Sequence, residues 1–330
     1  MQCNDEGVHS SQYMRDGRIA QEGAAKKAVV TLLRVIAQEK HEESSMMLPE
    51  LYINARATLG ESPAWDAKTQ TLYWVDVLER RVYAGAKHIA QLDDYVGCLA
   101  PRKGGGLILA QGRGFRLMEP DMKTVRRLIS PRGEARHNRF NDGKCDPRGR
   151  FLAGTMDRNE KEDSGALYSL SRRGRLQRML SHVRISNGLA WSPDGRTLYF
   201  IDRPTRQVMA FDYDLDTGGI LNGRVMIHID KSFGWPGGMT SDTDGNLWIA
   251  MWGGARVSQW KPDGTLLAQF GVEALNVTNC VFGGPDMNEL FITTAMVGTE
   301  PPALKKLPQA GGVFRMETHF TGMPTYEFGG

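Results

Sequence analysis

The chain has 330 residues, 41% hydrophobic and 24% charged, a globular mix long enough to bury a large core. The net charge of +3 comes from interleaved basic and acidic residues, which excludes a nucleic-acid-binding stripe; even the most basic window, residues 126–139, reads as a solvated loop. No stretch approaches the ~18 apolar residues of a membrane span.

The first 48 residues stand apart. Val29, Leu32, Leu33 and Ile36 fall at helical spacing and predict a short amphipathic helix. Arg34 interrupts its apolar run and no small-residue cleavage site follows, so it does not read as a signal peptide. The polar QEKHEESS after it reads as a linker, and Met46 and Met47 offer an alternative start of translation. The division expected is an extension over 1–48 and a single domain over 49–330.

From residue 49 on, short strand-like segments alternate with turns rich in Asp, Pro and Gly, and 38 glycines and 15 prolines are spread along the chain. One unit recurs: an apolar segment, a turn, and a returning strand anchored on leucine. SPAWDAKTQTLYWVD, KCDPRGRFLAGTM, LAWSPDGRTLYFID, MTSDTDGNLWIAM and CVFGGPDMNELFITTA are its clear copies, and CLAPRKGGGLILAQG is a weaker one. The anchors Leu72, Leu107, Leu152, Leu198, Leu247 and Leu290 are separated by 35, 45, 46, 49 and 43 residues. Periods near 45 with several strands each predict an all-β, six-bladed propeller of four-stranded blades. PELYINARA near the start and GGVFRMETHF near the end are both strand-like, and a blade shared between them would close the ring without an open edge.

In such a ring, the turn entering each inner strand faces the central channel. Polar residues recur there: Glu61 in LGESP; Arg139, Asn141 and Asp142 in RFNDGK; Asn187 in ISNGLAW; Asn279 in NVTNCVF. Oxygen donors converging from several blades suit a hard divalent cation. Taken singly, Asn187-Gly188 and Asp142-Gly143 read first as turn pairs. Glu61, between Gly60 and Ser62-Pro63 and just before Trp65, is harder to explain as a turn. Cys3, Cys98, Cys145 and Cys280 show neither C-x-x-C spacing nor a disulfide framework and read as reduced thiols of a cytoplasmic protein.

LGESPAWD, VGCLAPR, RFNDGKCDPRGRFLAGTM, GALYSL, SNGLAWSPDGRTLYFID, FDYD, DGNLWIAMWGGARV and CVFGG with LFITTA follow one another over residues 57–317. Together they resemble the SMP-30/gluconolactonase/luciferin-regenerating-enzyme family, also known through regucalcin. The resemblance implies a six-bladed propeller with one divalent metal in the channel and hydrolysis of sugar lactones. By resemblance Glu61 and Asn187 match metal ligands. Arg139 and Asn141 match residues that bind the lactone's oxygens, with Asn141 also near the metal. Glu160, or its neighbour Asn159, stands nearest to an acidic substrate contact on the loop after AGTM. The cation would be Ca²⁺, Mg²⁺, Mn²⁺ or Zn²⁺, and the partner a small-molecule sugar lactone, with no nucleic acid and no membrane.

One position departs from that pattern. A Pro-Asp-Gly-Met motif is expected where the chain reads Pro236-Gly237-Gly238-Met239, so Gly237 replaces the carboxylate expected to bind metal and act as general base. Asp242 and Asp244 belong to the following strand and turn and are not expected to substitute. Gly238 matches the family's glycine, so Gly237 is expected to carry no backbone duty of its own, and an Asp side chain is expected to fit there. Two readings follow: a metal-dependent lactone hydrolase weakened at Gly237, or a non-catalytic propeller that binds a sugar acid, lactone or protein partner in the same channel.

Overall fold

The computed structural model describes residues 48–330; the expected helix over residues 29–36, the linker and Cys3 lie outside them. Six four-stranded antiparallel sheets form the blades of a propeller. The inner strands are β2 (Gly60–Asp66), β6 (Val96–Pro101), β10 (Asn138–Cys145), β14 (Ser186–Trp191), β18 (Trp235–Ser241) and β22 (Asn276–Gly283), one per blade in the order 1 to 6. Each pairs with a second strand: β3 (Thr71–Asp76), β7 (Leu107–Gln111), β11 (Phe151–Asp157), β15 (Thr197–Asp202), β19 (Leu247–Trp252) and β23 (Glu289–Ala295).

The six anchor leucines occupy these second strands, one per blade, and none exceeds 2% exposure. Their side chains enter the apolar layers between neighbouring blades. The layer between blades 5 and 6, for example, packs Trp248 and Val257 against Phe282, Leu290, Ile292 and Phe314. A strand buried on both faces reads as a continuous apolar run, which is why TLYFID and LWIAMW show no polar alternation.

The ring closes as expected. β1 (Glu50–Ile53) pairs with β24 (Val313–Glu317), Glu50 opposite Arg315, so the sixth blade takes its outer strand from the start of the domain and its other strands from the end. A short helix α1 (Pro301–Lys306) fills the connection before β24, with prolines at its start where no intrahelical N–H is required.

Every inner strand carries a bulge near its entrance. The register slips between Glu61 and Ala64, Val96 and Cys98, Phe140 and Gly143, Ser186 and Leu189, Pro236 and Met239, and Val277 and Asn279. A bulge bends the strand and re-aims the side chains it carries. Asn141-Asp142, Asn187-Gly188 and Gly237-Gly238 thus occupy the same place in three blades. The two Asx-Gly turn readings fail for this reason: Asp142-Gly143 and Asn187-Gly188 lie inside buried strands, at bulges.

At the opposite end of the channel the C-terminal residues form a strap. Thr243 N–H donates to Thr321 O (2.9 Å), Met323 N–H to Ser241 O (2.9 Å), Phe328 N–H to Pro101 O (2.8 Å) and Gly329 N–H to Gly149 O (3.0 Å). Met323, Pro324 and Thr325 line a cavity of about 40 Å³ together with Lys144, Trp191 and Thr240 of the inner strands. The strap covers this end and leaves the bulged end as the entrance.

Candidate functional site

Glu61, Arg139, Asn141, Asp142, Asn187 and Asn279 all lie on inner strands at or beside the bulges, and none exceeds 8% exposure. Their hydrogen bonds join blades. Asn279 Nδ2 donates to Glu61 Oε2 (3.1 Å) and to Asp142 Oδ2 (3.1 Å), linking blades 6, 1 and 3. Arg139 Nη1 donates to Asn141 Oδ1 (2.7 Å), and Asn141 Nδ2 donates to Ser186 O (2.7 Å), linking blade 3 to blade 4 beside Asn187. Lys144 Nζ donates to Met239 O of blade 5, two residues beyond Gly237.

The donor atoms are unequally committed. Glu61 Oε2 also accepts from Ser62 N–H (3.0 Å), whereas Oε1 has no hydrogen bond among the described residues. The Asn187 side chain makes none either, although the residue is only 3% exposed. Neither is among the fully buried unpartnered atoms, so both groups reach the open channel; Glu61 Oε1 and the Asn187 amide are the free donors there, and a hard cation fits them. Asn141 is differently placed: its Oδ1 already faces the Arg139 guanidinium. Among the described residues no three His, Cys, Asp or Glu side chains form a metal-type cluster.

Four ionisable groups are buried together, and two carboxylates balance two cationic side chains. Burial, and then the neighbouring Asp142, push Glu61 up to about 7. Burial also raises Asp142, opposed first by Lys144, and lowers Lys144 and Arg139, the latter to about 10. Burial pushes the Cys280 thiol up to about 12 and holds Cys98 well above the usual thiol range, so neither is a thiolate nucleophile at neutral pH.

Glu160 lies at the entrance, half-exposed, with its carboxylate 3.0 Å from Arg203 Nη2. Its charge, with those of Arg203 and Arg158, acts on Arg139. Arg203 also lies over the Trp252 ring (5.4 Å), and Arg158 over Tyr95 (5.1 Å) while paired to Asp94 (3.2 Å). Asn159 donates its N–H to Asp157 within the same loop. Sequence reasoning missed Lys144, Arg158 and Arg203. Lys144 was findable as a second cation, after Arg139, inside a buried strand; the arginines sit in loops with no pattern to mark them.

Gly237 corrects one expectation. A Cβ there would stand 2.6 Å from the Thr278 carbonyl oxygen of blade 6 and 3.3 Å from that of Ala250. Backbone cannot swing aside like a side chain, so a residue larger than glycine requires the strands to shift. Gly237 therefore has a packing duty of its own. Gly97 and Gly188 do the same against Phe140 O (2.4 Å) and Gly237 O (2.8 Å) of the next blades. Asp242 does not stand in for the carboxylate expected at 237: it is fully buried and accepts from Asn246 N–H (2.8 Å) and Trp248 Nε1 (2.9 Å).

The profile of the SMP-30/Gluconolactonase/LRE-like region matches residues 59–296. The chain belongs to this family. Regucalcin of Danio rerio is 38% identical to it over 290 residues, covering 85% of this chain and 98% of that protein. A Bacillus subtilis protein carrying the name of a sugar lactone lactonase, YvrE, is 34% identical over 286 residues, with the same two coverages. Among solved structures, a luciferin-regenerating enzyme superposes with a TM-score of 0.80 at 29% identity, covering 86% of this chain and all of that one. A regucalcin of Agrobacterium tumefaciens, described as calcium-binding, gives 0.81 at 25% identity over 86% and 97%. Lactone hydrolysis is thus the activity for which members of this family are named.

Proposed function

We propose that this member of the SMP-30/gluconolactonase family hydrolyses a sugar lactone in the bulged end of its channel, with one divalent cation held by Glu61 and Asn187. The observation that carries the reading is the pair of oxygen donors without hydrogen bonds among the described residues, Glu61 Oε1 and the Asn187 amide, on two inner strands beside the Arg139–Asn141 pair. A bound divalent cation polarises a carbonyl and lowers the pKa of coordinated water.

The protein's own groups do the rest. Arg139 keeps its charge and spends one Nη1 on Asn141 and on Phe140 O (2.9 Å), leaving other N–H groups for lactone oxygens. Asn141 fixes the guanidinium from beneath and could share its second lone pair with the cation. Glu160, on the rim, meets substrate hydroxyls. A general base typically contributes ~10²–10⁴-fold, and Gly237 supplies none, so turnover is slow. Ca²⁺, Mg²⁺, Mn²⁺ and Zn²⁺ are the cations to compare. The free, buried Cys98, Cys145 and Cys280 support a reducing, cytoplasmic setting.

A second reading has one observation in its favour. With no carboxylate at 237 and backbone where its Cβ would lie, the channel could bind a lactone or sugar acid without turning it over. Acid release from gluconolactone, followed in a pH-stat with and without each cation, decides between them. Cation-dependent release, lost in Glu61→Gln, supports the hydrolase. Cation and ligand binding without release supports the binding protein.

A further inference from the structure

Asn279 occupies an unusual position. It is 1% exposed on β22, and its single amide nitrogen bonds the two buried carboxylates from blades 1 and 3. Its Oδ1 accepts from Cys280 N–H (2.8 Å), which fixes the amide so that the nitrogen faces the acids. The reach depends on Gly238: a Cβ there would lie 1.9 Å from Asn279 Cγ, so the glycine leaves the space that the amide fills. Oε2 of Glu61 is saturated by Asn279 and Ser62, while Oε1 is left without a hydrogen bond among the described residues.

We propose that Asn279 is a positioning residue for Glu61: it holds Oε2, keeps Glu61 apart from Asp142, and so leaves Oε1 as the oxygen that meets a divalent cation. The inference rests on the cation-dependent reading above and adds to it the group that orients the carboxylate. Groups that orient metal ligands through hydrogen bonds typically contribute 10–100-fold to metal affinity. Asn279 touches neither substrate nor reacting atoms; it acts through Glu61.

The test uses the full chain, with Ca²⁺ in calorimetry and Tb³⁺ as a luminescent stand-in whose lifetimes in H₂O and D₂O count metal-bound waters. Asn279→Ala removes the amide, Asn279→Leu keeps its bulk without donors, and Asn279→Ser gives a smaller change should either fail to fold. The expected result is about 10–100-fold weaker Ca²⁺ binding, an additional Tb³⁺-bound water where Glu61 has swung away, and no further loss when the substitution is made in Glu61→Gln. A purely structural role would lower thermal stability but leave the affinity and hydration of the folded variant unchanged. That outcome overturns the inference while the cation reading stands. If the wild-type chain takes up none of Ca²⁺, Mg²⁺, Mn²⁺ and Zn²⁺, the cation reading itself falls, and the positioning role with it.

Discussion

Glu61 sits where burial and Asp142 oppose its charge, so it keeps its proton up to about pH 7 in the metal-free fold. Unfolded, it releases that proton near 4.5. The folded state therefore binds the extra proton in this window, and the metal-free protein loses stability as pH rises through it. Glu61→Gln, which keeps an acceptor for Ser62 and Asn279, should raise the melting temperature in chelator at about pH 8, by on the order of 1–3 kcal/mol in stability, with the gain vanishing near pH 4.5. Thermal melts in chelator across that range check this; a uniform change at all pH values would contradict it. Gly237 gives a second prediction. Gly237→Asp must push a Cβ against Thr278 O, an overpacking that costs about 1–3 kcal/mol. Its chelated melting temperature should fall below wild type, while its gain on adding Ca²⁺ should exceed wild type's. Sequence reasoning placed an expected carboxylate at 237 from the flanking Pro236, Gly238 and Met239. It misjudged the space because the obstructing carbonyl belongs to a strand some forty residues away, which no local pattern reveals.

Two inner strands, β14 and β2, are preceded by backbone held by a carboxylate at the end of their second strand. Asp202, closing β15, accepts from Arg184 N–H (3.1 Å) and Ile185 N–H (2.9 Å), just before β14 begins. Asp76, closing β3, does the same for Thr58 (2.8 Å) and Leu59 (3.0 Å) before β2. These bonds fix the chain just ahead of the bulges that carry Asn187 and Glu61. Asp202→Ala should destabilise the chain by about 1–3 kcal/mol through the unpaired N–H groups and weaken Ca²⁺ binding as well, measured by melts and calorimetry on the same sample. Hairpins were legible from leucine anchors and Asp-Gly turns. The bulges were not, because their Asx-Gly pairs carry the same letters as a turn, and only burial within a sheet distinguishes them.

At the scale of the whole molecule, two devices hold the ring: the shared blade and the C-terminal strap. The first was legible because both termini carry strand-like runs; the second was not, since residues 318–330 form no regular element and bond through isolated backbone groups. Phe328, 1% exposed, inserts into the core shared by blades 2 and 3 beside Phe115, Phe140 and Phe151. Phe328→Ala should cost about 3–5 kcal/mol, visible as a lower urea midpoint, because the strap then loses its anchor. The fold was readable from repeat phase, the family from its motifs, and Glu61, Arg139, Asn141, Asp142, Asn187 and Asn279 from their place before the inner strands; Lys144 and the ranking of these residues required the hydrogen bonds between blades. The central claim is that the bulged end of the channel is a cation-dependent lactone-hydrolysing site centred on Glu61. Its most direct test is cation-dependent acid release from gluconolactone by wild type and Glu61→Gln side by side. Wild type should release acid slowly above the spontaneous hydrolysis of gluconolactone, fall to that background with chelator and recover with added divalent cation, while the variant stays at background throughout. Equal release by both proteins, or release indifferent to chelator, would contradict it.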